Sequence, residues 1–248
     1  MLDDPNLTPQ AFDDLIDEFY NKTTVKAIND LEDENKLKEY LSLRLEALSH
    51  PLKFISNVST KDEHDDQNPI KSFPIKPYVS YLFNMWHEKK QSIYFIAKSR
   101  QIMLTWLCCV YALYLAKSTP HRLIFLQSKK EEDAANLVFN GGRTGKNWDS
   151  ARISFIEKHL PEWLQDPDIE SAYGKLLFPN GSRIVGVPEG ADMIRSYTPS
   201  LVISDEAAFQ PEFGGAYTAM LPIAKQGGML IAISSAHPGP FGEIVEQC

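Results

Sequence analysis

Two stretches of the sequence set charged and hydroxyl side chains against the ends of apolar runs. The first is IAKSRQIMLTW (96–106). Here an apolar run gives way to Lys98, Ser99, Arg100 and Gln101, and an apolar helical stretch follows from Leu104. The second is SLVISDEAAF (200–209), where four apolar or small residues lead to Asp205 and Glu206. A strand that ends in a polar turn and opens a helix points backbone N–H groups at an anion. A lysine adds a mobile positive charge, and a threonine hydroxyl at the helix start is placed to hold Mg²⁺. Adjacent carboxylates at a strand end are placed to support that ion and to polarise a water molecule.

The first stretch departs from the usual GxxxxGK[ST] loop. Anchored on Thr105, the lysine slot holds Leu104, the second glycine slot Met103 and the first glycine slot Lys98. A lysine is therefore present at the opposite end of the loop, from which its ammonium can reach β- and γ-phosphates. Arg100 supplies a second cation. Gln101, Ile102 and Met103 must offer their N–H groups without glycine's freedom. Taken alone, Lys-Ser-Arg also reads as a solvated turn, and Asp-Glu as a capped helix start. Thr105 and Asp205 are 100 residues apart, which leaves room for two intervening units of an alternating sheet.

A rival loop, GGRTGKN (141–147), contains Gly-Lys. Asn140 and Asn147 occupy its first-glycine and Ser/Thr slots, and a helical stretch precedes it where a strand is required. It reads as a flexible turn whose Arg143 and Lys146 retain the option of touching a nucleic-acid backbone. A third run, GMLIAISSAHPGPFG (228–242), ends in Ser234 and Ser235 before a Pro/Gly turn. These serines read either as turn formers or as sensors beside the carboxylate strand.

The elements that must position these groups are legible in the patterning. SIYFIAK (92–98), RLIFLQS (122–128), LVIS (201–204) and GMLIAIS (228–234) are apolar on both faces, as in strands covered by helices on both sides. Helical stretches are predicted at 104–117, 129–140 and about 148–160. KLLFPNGSRIVGV (175–187) carries Asn180-Gly181 between alternating runs, a hairpin signal. Together these predict an α/β fold with a mainly parallel sheet flanked by helices and an inserted β-hairpin. Upstream, amphipathic helices are predicted at 8–20, capped by Thr8, and at 33–48. A polar linker at 56–69 then separates a helical extension (1–69) from the α/β domain (70–248).

Composition excludes several classes. The chain has 248 residues, 43% hydrophobic and 23% charged, which suits a globular protein with a real core. A net charge of −8 disfavours phosphate-backbone binding over the whole surface and leaves room for a local basic patch. The start, MLDDPNLTPQ, lacks the segments of a signal peptide, and LCCVYALYLA (107–116) is too short to span a bilayer. A cytosolic protein with no membrane contact is expected. Cys108, Cys109 and Cys248 form no CxxC and do not cluster with histidines, so no zinc site is expected.

Taken together, the motifs resemble those of the ATPase domain of tailed-phage terminase large subunits, the DNA-packaging motors. Ser99-Arg100-Gln101-Ile102, closed by Thr105, resembles the family's SRQ-hydrophobic-GKT loop, with Met103-Leu104 in place of Gly-Lys. Some terminases open the loop with a lysine instead, the position of Lys98. LVISDEAAF is similar to the family's Walker B motif, and ISSAHPGPFGEI to its coupling motif. RSYTPS (195–200) falls where terminases often have an Arg-Gly-x-x segment. FPIKPYVSYLF (73–83) stands at the adenine motif, with Val79 where a glutamine is expected.

The resemblance implies a P-loop NTPase fold of the ASCE/RecA-like kind, using ATP and Mg²⁺. It implies a phosphate loop of Lys98, Ser99, Arg100, Gln101, Ile102, Met103, Leu104 and Thr105, with Lys98 on the β/γ-phosphates. Thr105 would coordinate Mg²⁺, with Asp205 behind it, and Glu206 would polarise the attacking water. Arg100 would stabilise the transition state in cis or sense the γ-phosphate. Ser234 and Ser235 would couple hydrolysis to motion, and Pro77 and Tyr78 would hold adenine by stacking and backbone contacts. Expected partners are double-stranded DNA, a portal protein and a small terminase subunit. The chain would assemble as a homo-oligomeric ring, or be a monomer as an isolated domain, in the cytoplasm of an infected bacterial cell. The family's C-terminal nuclease is expected to be absent. Another P-loop translocase or helicase core, and a non-hydrolysing P-loop-like structural protein, remain as rival readings.

Overall fold

The structure, a computed structural model, describes residues 34–62, 64–99, 102–141 and 147–247. Helices α1 (Glu34–Leu48) and α2 (Pro51–Ile55) lead into a two-stranded antiparallel ribbon, β1 (Ser59–Lys61) and β2 (Ile70–Ser72). Helix α3 (Pro77–His87) follows. Then β3 (Ile93–Ala97), α4 (Leu104–Ser118), β4 (Leu123–Gln127), α5 (Glu131–Val138) and α6 (Arg152–Lys158) come in order. The short strands β5 (Glu170–Ala172) and β6 (Lys175–Leu177) precede β7 (Arg183–Val187), α7 (Asp192–Ser196), β8 (Leu201–Asp205), α8 (Phe213–Lys225), β9 (Met229–Ser234) and α9 (Pro240–Gln247).

Seven strands form one sheet in the order β3-β9-β8-β4-β7-β6-β5. The first five are mutually parallel, and β6 runs antiparallel to both β7 and β5. β8 and β9 lie inside the sheet, and every residue in them is buried. That burial explains why their sequences run apolar without alternation. β9 stands between β3 and β8. Its register pairs Ser234 with Ala97 on one side and Ile233 with Asp205 on the other. The carboxyl ends of the three strands therefore meet at one edge.

The hairpin predicted around Asn180-Gly181 forms between β6 and β7. Gly181 has φ 81°, a left-handed conformation, and a Cβ there would lie 2.4 Å from the His121 ring, so both backbone and space call for glycine. β5 lengthens the hairpin into a three-stranded antiparallel edge.

Helix α4 is buried on nearly every side, which accounts for its apolar sequence. Cys108 and Cys109 lie inside it, and burial pushes the Cys109 thiol up to about 12. Phe83 and Trp86 of α3 pack on Tyr111 with ring centroids 5.7 and 5.2 Å away. At its far end Lys117 is buried and bonds Glu157 of α6 at 2.9 Å and Asp166 at 2.5 Å. Arg44 of α1 also pairs with Asp166. A charge taken out of water needs such partners. The network thus fastens α1 and α6 to the end of α4.

The segment 56–69 differs from the predicted loop. Its flanks pair as β1 and β2, with Thr60 opposite Lys71. Helices α5 and α6 are shorter than predicted, and α6 starts late because a 3₁₀ turn occupies Trp148–Ser150. The helix predicted at 8–20 lies outside the described residues. Among the described residues no helix is long and apolar enough to cross a membrane.

Candidate functional site

Lys98 follows β3 directly, and its N–H donates to the Ser234 carbonyl at 2.8 Å, continuing the ladder. Its ammonium lies 2.6 Å from Glu206 Oε1, and its side chain is 9% exposed. Glu206 begins the turn after β8 in the left-handed region, at φ 50° and ψ 45°. For a non-glycine residue that conformation costs about 1–2 kcal/mol. The Ser235 N–H and hydroxyl both donate to Glu206 Oε2, at 3.4 and 3.2 Å. Burial pushes the Glu206 carboxyl up. The Lys98 ammonium and the Ser235 hydrogen bonds outweigh that and hold it below its ordinary value.

Thr105, in the first turn of α4, donates its hydroxyl to Asp205 Oδ1 at 3.0 Å. Asp205 is buried at the end of β8. Burial raises its carboxyl above the usual range, with the Thr105 hydrogen bond and the Lys98 charge working against the rise. Ser234 faces the other way. Its Oγ accepts from the Ala208 N–H at 3.1 Å, pinning the turn that presents Glu206.

Met103 caps α4 in the left-handed region (φ 55°, ψ 20°) and offers no side-chain cap. The first N–H groups of a helix have no intrahelical acceptor, so the start of α4 presents uncapped donors. Thr105 sits among them. They open into a cleft of about 910 Å³ bordered by Lys98, Leu104 and Thr105. Arg152 and Phe155 of α6 also line it, as do Lys61, His64 and Lys71 of the ribbon. Its size suits a nucleotide-sized ligand.

Of the expected site residues, the structure brings Lys98, Thr105, Asp205, Glu206 and Ser235 together, with Ile102, Met103 and Leu104 beside them. Ser99 follows Lys98 at the mouth of the loop. Arg100 and Gln101 lie outside the described residues, as do Arg143 and Lys146 of the rival loop. Pro77 is in the first turn of α3, and neither it nor Tyr78 lines the cleft. The Tyr78 hydroxyl donates to the Ile102 carbonyl at 2.5 Å, bracing the loop from behind.

A polar chain behind the site escaped the sequence reading. Gln210 donates to the Asp205 carbonyl at 2.8 Å and to Ser204 Oγ at 3.1 Å. Ser204 in turn donates to Gln127 of β4 at 3.4 Å. Gln127 donates to the Gly190 carbonyl at 2.9 Å. All three side chains are buried. Mg²⁺ keeps several waters and takes one or two protein oxygens plus phosphates. The Thr105 hydroxyl beside the Asp205 carboxylate fits that requirement. Among the described residues no group of three His, Cys, Asp or Glu side chains forms a self-sufficient metal site.

A mostly parallel sheet with helices on both faces, a strand–loop–helix opening on a cleft and a carboxylate pair one strand away constitute the fold of a P-loop NTPase. The solved structures it is similar to are phage large terminases. The large terminase of bacteriophage HK97 superimposes with a TM-score of 0.58 at 16% identity, over 80% of this chain and 40% of that one. The Thermus phage P74-26 large terminase ATPase domain gives 0.48 at 17% identity, over 69% of each chain. The match therefore spans 40% of the length of the HK97 protein. No protein-family model matches the sequence, and no curated protein does.

Proposed function

We propose that this chain is the ATP-hydrolysing motor domain of a viral DNA-packaging terminase large subunit. The observation that carries the reading is the convergence of Lys98, Thr105, Asp205 and Glu206 at one sheet edge, around the uncapped start of α4. A triphosphate in the cleft sets its β- and γ-oxygens against the α4 N–H groups and the Lys98 ammonium. Thr105 and Asp205 are the residues that would hold Mg²⁺, whose charge would offset that of those oxygens.

In this arrangement Glu206 is held by Lys98 and Ser235. Phosphate oxygens compete for the Lys98 ammonium and release the Glu206 carboxylate to orient a water in line with the γ-phosphorus. The water's oxygen forms the new P–O bond as the bond to ADP breaks, and Glu206 accepts the water's proton. Ser235 follows Glu206 and carries the change into the 236–239 turn and α9. Ser234 keeps the Glu206 turn in register meanwhile. Arg100 adds charge in cis, and Tyr78, which does not line the cleft, supports the loop through its hydrogen bond to the Ile102 carbonyl.

The work driven is translocation of double-stranded DNA into a procapsid, in a ring of copies on a portal protein with a small terminase subunit, in the cytoplasm of the infected bacterial cell. The HK97 likeness supports this context. A non-hydrolysing P-loop-like protein is the second reading, because the Lys98–Glu206 pair closes the site. ATP binding without phosphate release, with and without DNA and partner proteins, would favour that second reading. DNA-stimulated phosphate release supports the motor.

A further inference from the structure

The wall of the cleft built by α6 carries a cation that the site described above does not use. Arg152 is the first residue of α6, half-buried, and borders the same cleft as Lys98 and Thr105. Its guanidinium lies over the Trp106 ring, 5.9 Å from the centroid. Trp106 is the residue after Thr105, so this stacking fixes the arginine beside the first turn of α4. Among the described residues no carboxylate pairs with Arg152 and no hydrogen-bond acceptor takes its donors. Asp149, which borders the same cleft, is engaged by Lys158 and by His159 at 3.0 Å. Lys71, across the cleft on the ribbon, is likewise tied to Asp62 and Asp65, at 2.6 and 3.0 Å.

We infer that Arg152 is a catalytic residue of this site, a guanidinium that contacts the terminal phosphate in cis from the wall of α6. The inference rests on the nucleotide site proposed above. A guanidinium carries five donors in a fixed fork that matches two oxygens of one phosphate. It is always charged, so an unpaired one beside a cleft favours an anionic guest. Its field already reaches the carboxylate edge of the sheet, where it opposes the rise of the Asp205 carboxyl. With Lys98 on the strand side and Arg152 on the helix side, a γ-phosphate meets positive charge on two walls. As the bond to ADP breaks, charge shifts within the phosphates, and a held cation stabilises the transferring group most. The fork discriminates ATP from ADP, because only ATP extends a phosphate toward the α6 wall.

The test uses the full chain as Arg152→Gln and Arg152→Lys, beside wild type and Lys98→Ala. It reads phosphate release, binding of fluorescent ATP and ADP, and thermal unfolding. Arg152→Gln keeps a side chain over Trp106 and removes the charge. It is expected to unfold at the wild-type temperature, slow turnover about 10²-fold or more and weaken ATP about tenfold with ADP unchanged. Arg152→Lys is expected to keep part of the ATP-over-ADP preference and to turn over slowly, because it retains charge without the fork. Wild-type turnover and ATP-over-ADP preference in a folded Arg152→Gln overturns the inference, and Lys98→Ala still losing both nucleotides leaves the site itself standing. Wild type binding neither nucleotide overturns the site. If Arg152→Gln unfolds early, Arg152→Lys decides: undiminished turnover and preference overturn the role, and their loss at wild-type stability supports it.

Discussion

The Lys98 ammonium and the Glu206 carboxylate meet at 2.6 Å across the end of β9, joining the residue after β3 to the residue after β8. The cation that should hold phosphate and the carboxylate that should activate water are, in this arrangement, each other's partner. Either one is free to act when the other has been engaged elsewhere.

Replacing Glu206 by Gln removes the carboxylate and loosens its hold on Lys98. Glu206→Gln is expected to bind ATP at least as tightly as wild type and to lose turnover by about 10²-fold or more. Equilibrium binding and single-turnover hydrolysis measure the two effects separately. Weakened ATP binding with turnover intact would sink the assignment.

Lys98→Ala is expected to weaken ATP and ADP binding strongly, since the loop then has no lysine. Lys146→Ala, in the rival loop, should leave binding unchanged. Isothermal titration of both variants decides, and the reverse pattern would move the site to residues 141–147.

Acid should open the Lys98–Glu206 pair. The folded-state value for Glu206 lies below its ordinary 4.5, so the pair stabilises the fold above that pH and the contribution is lost as pH falls through the folded value. Asp205 has the opposite sign: its raised carboxyl costs stability once ionised, and the cost disappears as pH falls. Melting wild type and Glu206→Gln from pH 7 to pH 3 isolates the first effect. The wild-type advantage should shrink below about pH 4.5. An advantage that grows in acid would contradict the pairing.

Lys117→Met leaves Glu157 and Asp166 buried without their shared cation. Breaking a buried pair from one side costs about 3–5 kcal/mol, and urea unfolding should show a loss of that size. A loss under about 1 kcal/mol would show that the network is solvated and does not fasten α1 and α6 to α4.

Tyr78→Phe tests what braces the loop. Losing the hydrogen bond to the Ile102 carbonyl costs about 1 kcal/mol, or roughly fivefold in affinity, if the loop's position is what it supports. ATP and GTP should weaken alike. A loss confined to ATP would assign Tyr78 to the base.

The sequence carried the central sheet because its strands are buried on both faces and so are written as unbroken apolar runs. It carried Lys98, Thr105, Asp205 and Glu206 because each ends or begins such a run. The β1–β2 ribbon was not legible: it is largely exposed, only Thr60 is buried, and its polar residues give no period. Arg152, Gln127 and Gln210 gain their places through packing between distant elements, which no local pattern records. Trp106 packs against the core and also lines the cleft beneath Arg152, a double role that its apolar surroundings in the sequence do not record.

Because β9 is bonded along its length to β3 and to β8, the gap between lysine and glutamate is set by two ladders at once. A parallel strand cannot drift by a fraction of a residue, and a full step would carry every side chain of β9 to the opposite face and break the packing of both. The backbone at this edge is therefore a fixed gauge, and in the proposed cycle the site would open by rotation of side chains. Rotation of a partly exposed side chain such as Glu206 takes picoseconds to nanoseconds, more than about a million times faster than an enzymatic cycle of about 10 per second. In the proposed cycle, release of Glu206 would thus add no slow step of its own, and the tempo would be left to chemistry, product departure and whatever α9 pushes against.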